Sequence, residues 1–123
     1  MIKIRSYGFA IRIIELYKQI IAEKKEFTLA RQLLKSGTSI GANVEEAIGA
    51  QSRKDFIAKL SIAYREARET TYWLKLLQDT QFITAGTSND LRIECEQITR
   101  IIAKIIITSK QNSVSHKLLN FNS

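Results

Sequence analysis

The sequence predicts an all-α protein, folded as an antiparallel up-and-down four-helix bundle. Three observations carry this. Proline is absent from all 123 residues, so no helix is stopped covalently. Apolar residues recur at 3- and 4-residue steps in four successive segments, at about 6–25, 28–50, 52–79 and 88–110. The connections between segments are short, and short connections join antiparallel neighbours. With 45 % apolar residues, one domain of this length has enough material for a core.

The first helix is expected from about Ser6 to Lys25. Tyr7, Ala10, Ile14, Tyr17 and Ile21 form its stripe, widened by Ile13, Leu16 and Ile20. Lys24 and Lys25 fall in the last turn, where the helix dipole favours cations. The second helix begins at Thr28 as N-cap and ends near Ala50. Its stripe is Leu29, Leu33, Gly37, Ile40, Val44 and Ile48. The third begins at Ser52, with Asp55 three residues on, close to a capping box. Phe56, Leu60, Ala63, Ala67, Thr70, Leu74 and Leu77 keep a strict heptad step. The fourth begins at Ser88 and carries Leu91, Cys95, Ile98, Ile102 and Ile105 at heptad steps. Residues 1–110 make the bundle. Residues 111–123 are rich in Asn and Ser and read as a disordered or loosely packed tail, with Leu118, Leu119 and Phe121 available for docking. The wide stripes on the first and fourth helices leave two readings open: a thick core, or a second interface and a homo-oligomer.

Residues 36–47 break the pattern of good helix formers: Ser-Gly-Thr-Ser-Ile-Gly-Ala-Asn-Val-Glu-Glu-Ala. Glycine costs about 1 kcal/mol against alanine inside a helix. Accepting that cost at both Gly37 and Gly41 implies a close backbone approach, a helix break, or a polar group held in the core. Gly37 lies on the stripe and Gly41 one turn further, which favours close approach. Asn43 and Glu46 are expected to hydrogen-bond polar groups across this patch.

Several chemistries find no support. The only cysteine, Cys95, lies on the apolar seam of the fourth helix and reads as a buried structural thiol. The only histidine, His116, is in the tail, so a Ser or Cys nucleophile has no base. Glu45, Glu46, Glu66, Glu69, Glu94 and Glu96 sit on helices, but no Glu-x-x-His accompanies them, which argues against a di-metal site and against any metal or cofactor. Glu66 and Glu69 are expected instead to pair with Arg65 and Arg68 on the surface. Gly37-x-x-x-Gly41 follows no strand and lacks the ending of a phosphate loop. No apolar run approaches a membrane span or a signal peptide, so a cytoplasmic protein without enzymatic activity is the expectation.

The charge balance is the remaining guide. Lys and Arg number 19 against 12 Asp and Glu, a net charge of +7. Such a balance favours an anionic partner, RNA, DNA or an acidic protein surface, although it also serves solubility. The candidate contacts are Arg31 and Lys35, Arg53 and Lys54, Arg65 and Arg68, and Arg100 with Lys104. None belongs to a sequence-reading motif, so binding would run through phosphates and be salt-sensitive.

The patch at 36–47, together with Lys54-Asp-Phe-Ile-Ala-Lys-Leu (54–60) and Ala-Tyr-Arg-Glu-Ala-Arg-Glu-Thr-Thr-Tyr-Trp-Leu-Lys-Leu-Leu (63–77), resembles the bacterial four-helix-bundle proteins of 23S rRNA intervening sequences. The same fold group includes the accessory protein of diversity-generating retroelements. The resemblance is strongest over about residues 28–77; the first and last helices match in length and placement. Some relatives have Glu-Gly where this chain has Glu45-Glu46, so the kink that glycine permits is missing here. The resemblance implies a ring-shaped homo-oligomer, a pentamer, with no known catalytic activity. Its retroelement members engage nucleic acid and a reverse transcriptase through a basic surface. It implies structural or assembly roles for Ser39, Asn43, Glu46, Glu66, Glu69 and Trp73.

Overall fold

The computed structural model describes the backbone of residues 1–122 and the side chains of residues 1–112. Four helices follow one another: α1 (Ile2–Glu23), α2 (Thr28–Ile48), α3 (Arg53–Asp79) and α4 (Ala85–Asn122), with no strand among the described residues. Each helix packs on the next, and α1 closes the bundle loosely against α4. Cross-helix neighbours fix the directions. Ser6 and Ile13 of α1 meet Gly41 and Gly37 of α2. Ala67 and Leu74 of α3 meet Cys95 and Ser88 of α4. Rising numbers on one helix meet falling numbers on the other, so the neighbours are antiparallel and the topology is up-and-down.

The helix ends show which caps the backbone uses. Ser52 caps α3 as expected, its hydroxyl accepting from the Asp55 N–H at 3.0 Å. Thr28 does not cap α2. It is the first helical residue, and the Glu26 carboxylate upstream accepts from the Leu29 N–H at 3.0 Å. Lys24 and Lys25 lie outside the last turn of α1. Lys24 is the C-cap, and Lys25 turns the chain with φ 52°, a left-handed conformation that ends the helix. Nor is Ser88 the start of α4. Thr84 accepts from the Thr87 N–H at 3.1 Å, so the helix begins at Ala85, which frees Ser88 to face inward. Ser88 is buried and its hydroxyl donates to the Leu74 carbonyl at 3.2 Å, tying α4 to α3. α4 continues to Asn122, through the segment expected to be a tail. How the side chains of residues 113–123 pack lies outside the described residues.

The core is one cluster. Leu60, Ala63, Ala67, Leu74 and Leu77 of α3 and Leu91, Cys95, Ile98 and Ile102 of α4 are buried along the expected heptads. On α1 the buried stripe is Phe9, Ile13, Leu16 and Ile20. Ile13, Leu16 and Ile20, the expected widening of the stripe, are thus its buried centre, and Tyr17 and Ile21 pack at its edge, whereas Tyr7 is 69 % exposed and Ala10 and Ile14 are half-buried. α1 has apolar residues on most of its faces, so several stripes fit its period. The choice is made by α2, whose glycines leave room for Ser6 and Ile13. On α2, Ala30, Ser36 and Ala47 join Leu33, Gly37, Ile40 and Val44 inside, and Ile48 is exposed.

Candidate nucleic-acid interface

The patch at 36–47 is a device for bringing α1 onto α2. A Cβ at Gly37 would stand 2.8 Å from both Cγ1 and Cγ2 of Ile13, and one at Gly41 would stand 3.3 Å from the Ser6 carbonyl oxygen. α2 is unbroken through both glycines, so close approach is the reading that holds. A polar group in the core accompanies it. The hydroxyls of Ser36 and Thr70 are 3.0 Å apart, both buried, and lie beside the carbonyls of Leu33 and Glu66 at 3.3 Å and 2.7 Å. Each hydroxyl has one proton, which the pair shares among one another and these carbonyls. Among the described residues, no buried side-chain oxygen or nitrogen is left without a partner.

The other motif residues stay on their own helices. Ser39 donates to the Lys35 carbonyl at 2.6 Å, and the Asn43 amide donates to the Ser39 carbonyl at 2.8 Å. Glu46 is exposed. The bonds expected across the patch from Asn43 and Glu46 are therefore absent, because both positions point away from the α1 contact. Glu69 accepts from the Trp73 indole N–H at 3.1 Å. Glu66 is half-buried, and burial followed by the nearby Glu69 raises its pKa, with Lys35 and Arg65 pulling the other way. Neither Glu66 nor Glu69 forms the expected ion pair with Arg65 or Arg68. Among the described residues the pairs are Lys3–Glu45, Arg12–Glu94, Lys18–Glu15 and Lys75–Asp79.

All eight candidate cations are exposed: Arg31, Lys35, Arg53, Lys54, Arg65, Arg68, Arg100 and Lys104. None of them takes part in those ion pairs. They do not form one surface. Arg53 and Lys54 stand in the first turn of α3, and Arg31 and Lys35 on α2, where Lys35 lies near Glu66. The α3–α4 side gathers the rest. Arg68 and Arg100 line one polar cleft, Arg65 lines the apolar groove beside it, and Lys104 follows Arg100 by one turn.

Two apolar grooves flank the bundle. One, of about 510 Å³, lies between α1 and α2 and is lined by Ile4, Tyr7, Ala10, Ile14 and Ala42, with Lys3 and Glu45 paired at its edge. The other, of about 660 Å³, lies between α3 and α4, lined by Ala58, Ile62, Ala103, Ile106 and Ile107. With the helices in cyclic order, these grooves are on opposite sides. The first part of the expected stripe of α1 is thus a surface, with Ile4 beside it: Tyr7 and Ile4 are 69 % and 76 % exposed. The signal available in the sequence was the excess width of that stripe.

Cys95 is fully buried against the Ala67 carbonyl, its sulfur at 3.3 Å, and burial pushes its pKa up to about 12. Among the described residues, no group of three His, Cys, Asp or Glu side chains is arranged to hold a metal ion, and no helix is long and apolar enough to cross a membrane.

The profile of the family described as 23S rRNA-intervening sequence protein matches residues 2–104. The chain belongs to this family. A solved member of related description is a protein of unknown function from the S23 ribosomal protein family of Bacteroides thetaiotaomicron VPI-5482. The two are 48 % identical and superpose with a TM-score of 0.85, over 86 % of this chain and 98 % of the other. No curated protein matches the chain. The intervening-sequence match spans α1, α2, α3 and α4 as far as Lys104, so the motif-bearing middle and the flanking helices belong to one family fold.

Proposed function

We propose that this intervening-sequence family member is a non-enzymatic, cytoplasmic protein that binds RNA, ribosomal RNA included, or DNA through phosphate contacts, acting as a homo-oligomer. The observation that carries the reading is the set of eight exposed cations that form no ion pair among the described residues, on a chain of net charge +7. An unpaired cation keeps its charge available for a phosphate, whereas a paired one must first break its pair. The opposed apolar grooves support the oligomer. Exposed apolar patches of this kind mark contact sites, and seating one groove on the opposite face of the next copy is a head-to-tail contact, which closes a ring if the rotation suits. A pentamer is the ring size this family reading favours. A reverse transcriptase is a fitting partner if the chain works in a retroelement.

A mobility-shift series over salt tests the binding. The expected result is retention of RNA or DNA at low salt, a steep fall with salt, and weakening when Arg31 and Lys35 or Arg65 and Arg68 are neutralised. Failure to retain either nucleic acid at low salt would sink the reading. Light scattering with and without RNA tests the assembly, and a monomer in both would overturn it. The same positive charge also supports a second reading, a protein-interaction scaffold with an acidic protein partner. A partner that stays bound after nuclease treatment would support the scaffold instead.

A further inference from the structure

The polar cleft between α3 and α4 measures about 260 Å³. That is below the about 300–1,000 Å³ of an enclosed small-molecule pocket, so it suits one unit of a longer chain. From α3 come Tyr64, Arg68 and Thr71, and from α4 come Glu96, Thr99 and Arg100. The two threonines add no donor. Thr71 donates to the Arg68 carbonyl at 2.7 Å and Thr99 to the Cys95 carbonyl at 2.8 Å, so each hydroxyl proton is already used. The free donors among the described residues are the two guanidinium groups, one from each helix, and the Tyr64 phenol. Two arginines from different helices match successive phosphates along a backbone that runs in the seam.

Beside the arginines stand aromatic rings. Tyr64 is half-buried and lines the cleft. Tyr72 lies one turn beyond Arg68, outside the lining of the cleft, is 58 % exposed, and makes a T-shaped contact with Trp73 with centroids 5.0 Å apart. An exposed ring steadied by a neighbour is a platform for a flat partner. Bases in a duplex have their faces covered by neighbours, whereas unpaired bases have faces to offer. We infer that the α3–α4 cleft is a single-strand site, in which Arg68 and Arg100 hold consecutive phosphates and Tyr72, one turn along α3 and outside the cleft, stacks an unpaired base of the strand as it leaves. The inference rests on the nucleic-acid reading above and narrows its ligand to unpaired strands. Glu96 is the one anion in the cleft and opposes the ligand there.

Fluorescence anisotropy tests this with labelled oligouridylate, oligodeoxythymidylate and a duplex of equal length. The protein should bind the single strands more tightly than the duplex. Arg68→Gln with Arg100→Gln should lower the salt slope by about 1.4, the value for two single-strand phosphates. Tyr72→Ala should weaken single-strand binding about five-fold or more and leave the slope unchanged. Glu96→Gln should tighten binding, a gain that a misfolded variant cannot mimic. If the native protein binds none of the probes, the nucleic-acid reading itself falls. Equal affinity for duplex and single strand overturns this site alone, as does tight binding that the Arg68, Arg100 and Tyr72 substitutions leave intact.

Discussion

Replacing Gly37 by alanine puts two opposed effects on one atom. The new Cβ would lie 2.8 Å from Cγ1 and Cγ2 of Ile13. Carbon atoms attract best at about 3.5–4.0 Å, so the methyl enters well inside contact. Ile13 is fully buried, and a β-branched side chain in a helix is nearly fixed at χ1, so it has nowhere to turn. The helices must separate, and overpacking of this kind costs about 1–3 kcal/mol. Against this, alanine in place of glycine stabilises a helix interior by about 1 kcal/mol. The balance is a net loss of about 1 kcal/mol for Gly37→Ala. At Gly41 the neighbour is the Ser6 carbonyl oxygen at 3.3 Å, a gap that a small shift relieves, so Gly41→Ala should be near neutral. Urea denaturation followed by far-UV circular dichroism reads both. The decisive arm is the double variant. Ile13→Val keeps both Cγ atoms and should not rescue Gly37→Ala. Ile13→Ala removes both, at a cost of about 2–5 kcal/mol for the cavity, and leaves only its Cβ, 3.2 Å from the new methyl, a gap that a small shift into the emptied space relieves, so in that background Gly37→Ala should stabilise. A stabilising Gly37→Ala in the native background, or the same effect with and without the Ile13 side chain, would refute the close-approach account.

Three further outcomes follow from other positions. Ser52→Ala removes the hydroxyl that accepts from Asp55 and should cost about 1 kcal/mol, read by the same urea titration; no change in midpoint would mean the cap is idle. Glu66 has its pKa raised, so the folded state holds that proton more tightly than the unfolded chain. Its contribution to stability is present at low pH and lost as pH climbs from the ordinary carboxylate range through the raised value. Glu66→Gln should flatten that limb of a stability–pH profile, and identical slopes in the two proteins would count against it. The Cys95 thiol, with its pKa at about 12, should be silent toward Ellman's reagent at pH 8 in the folded protein and react in urea; fast labelling without denaturant would contradict its burial.

The heptads of α3 and α4 were legible because each keeps an unbroken seven-residue step, and the heptad positions from Leu60 to Leu77 and from Leu91 to Ile102 are buried as their spacing predicts. Gly37 and Gly41 were legible as a contact because their intrinsic cost demands a return. The face of α1 was not. With Ile4, Tyr7, Ile11, Ile13 and Ile14 spread around it, period alone cannot choose, and the choice belongs to the shape of α2. The start of α2 falls at Thr28 as expected, but its capping group and the start of α4 do not follow residue type: Thr28 and Ser88 are good capping residues, yet Glu26 and Thr84 reach the free N–H groups. For the candidate interface, the cations could be named from sequence. Their separation into an α3–α4 cluster and two outlying pairs depends on how the helices are arranged around the bundle, which no local pattern records.

The Ser36–Thr70 pair has a consequence for alignment. A seam with a seven-residue repeat packs almost as well when slid by seven residues, so packing alone leaves several alignments of α2 on α3 close in energy. Sliding α3 by one repeat puts Ala63 or Leu77 where Thr70 stands, and neither can meet a hydroxyl. The pair therefore works as an index mark that distinguishes one alignment from its near-copies. Ser36→Ala with Thr70→Val should cost little stability, because both partners go together, yet remove the mark. Doubled amide resonances in that variant would reveal chains settled in more than one alignment, and a single clean set would show that the side-chain shapes suffice without it.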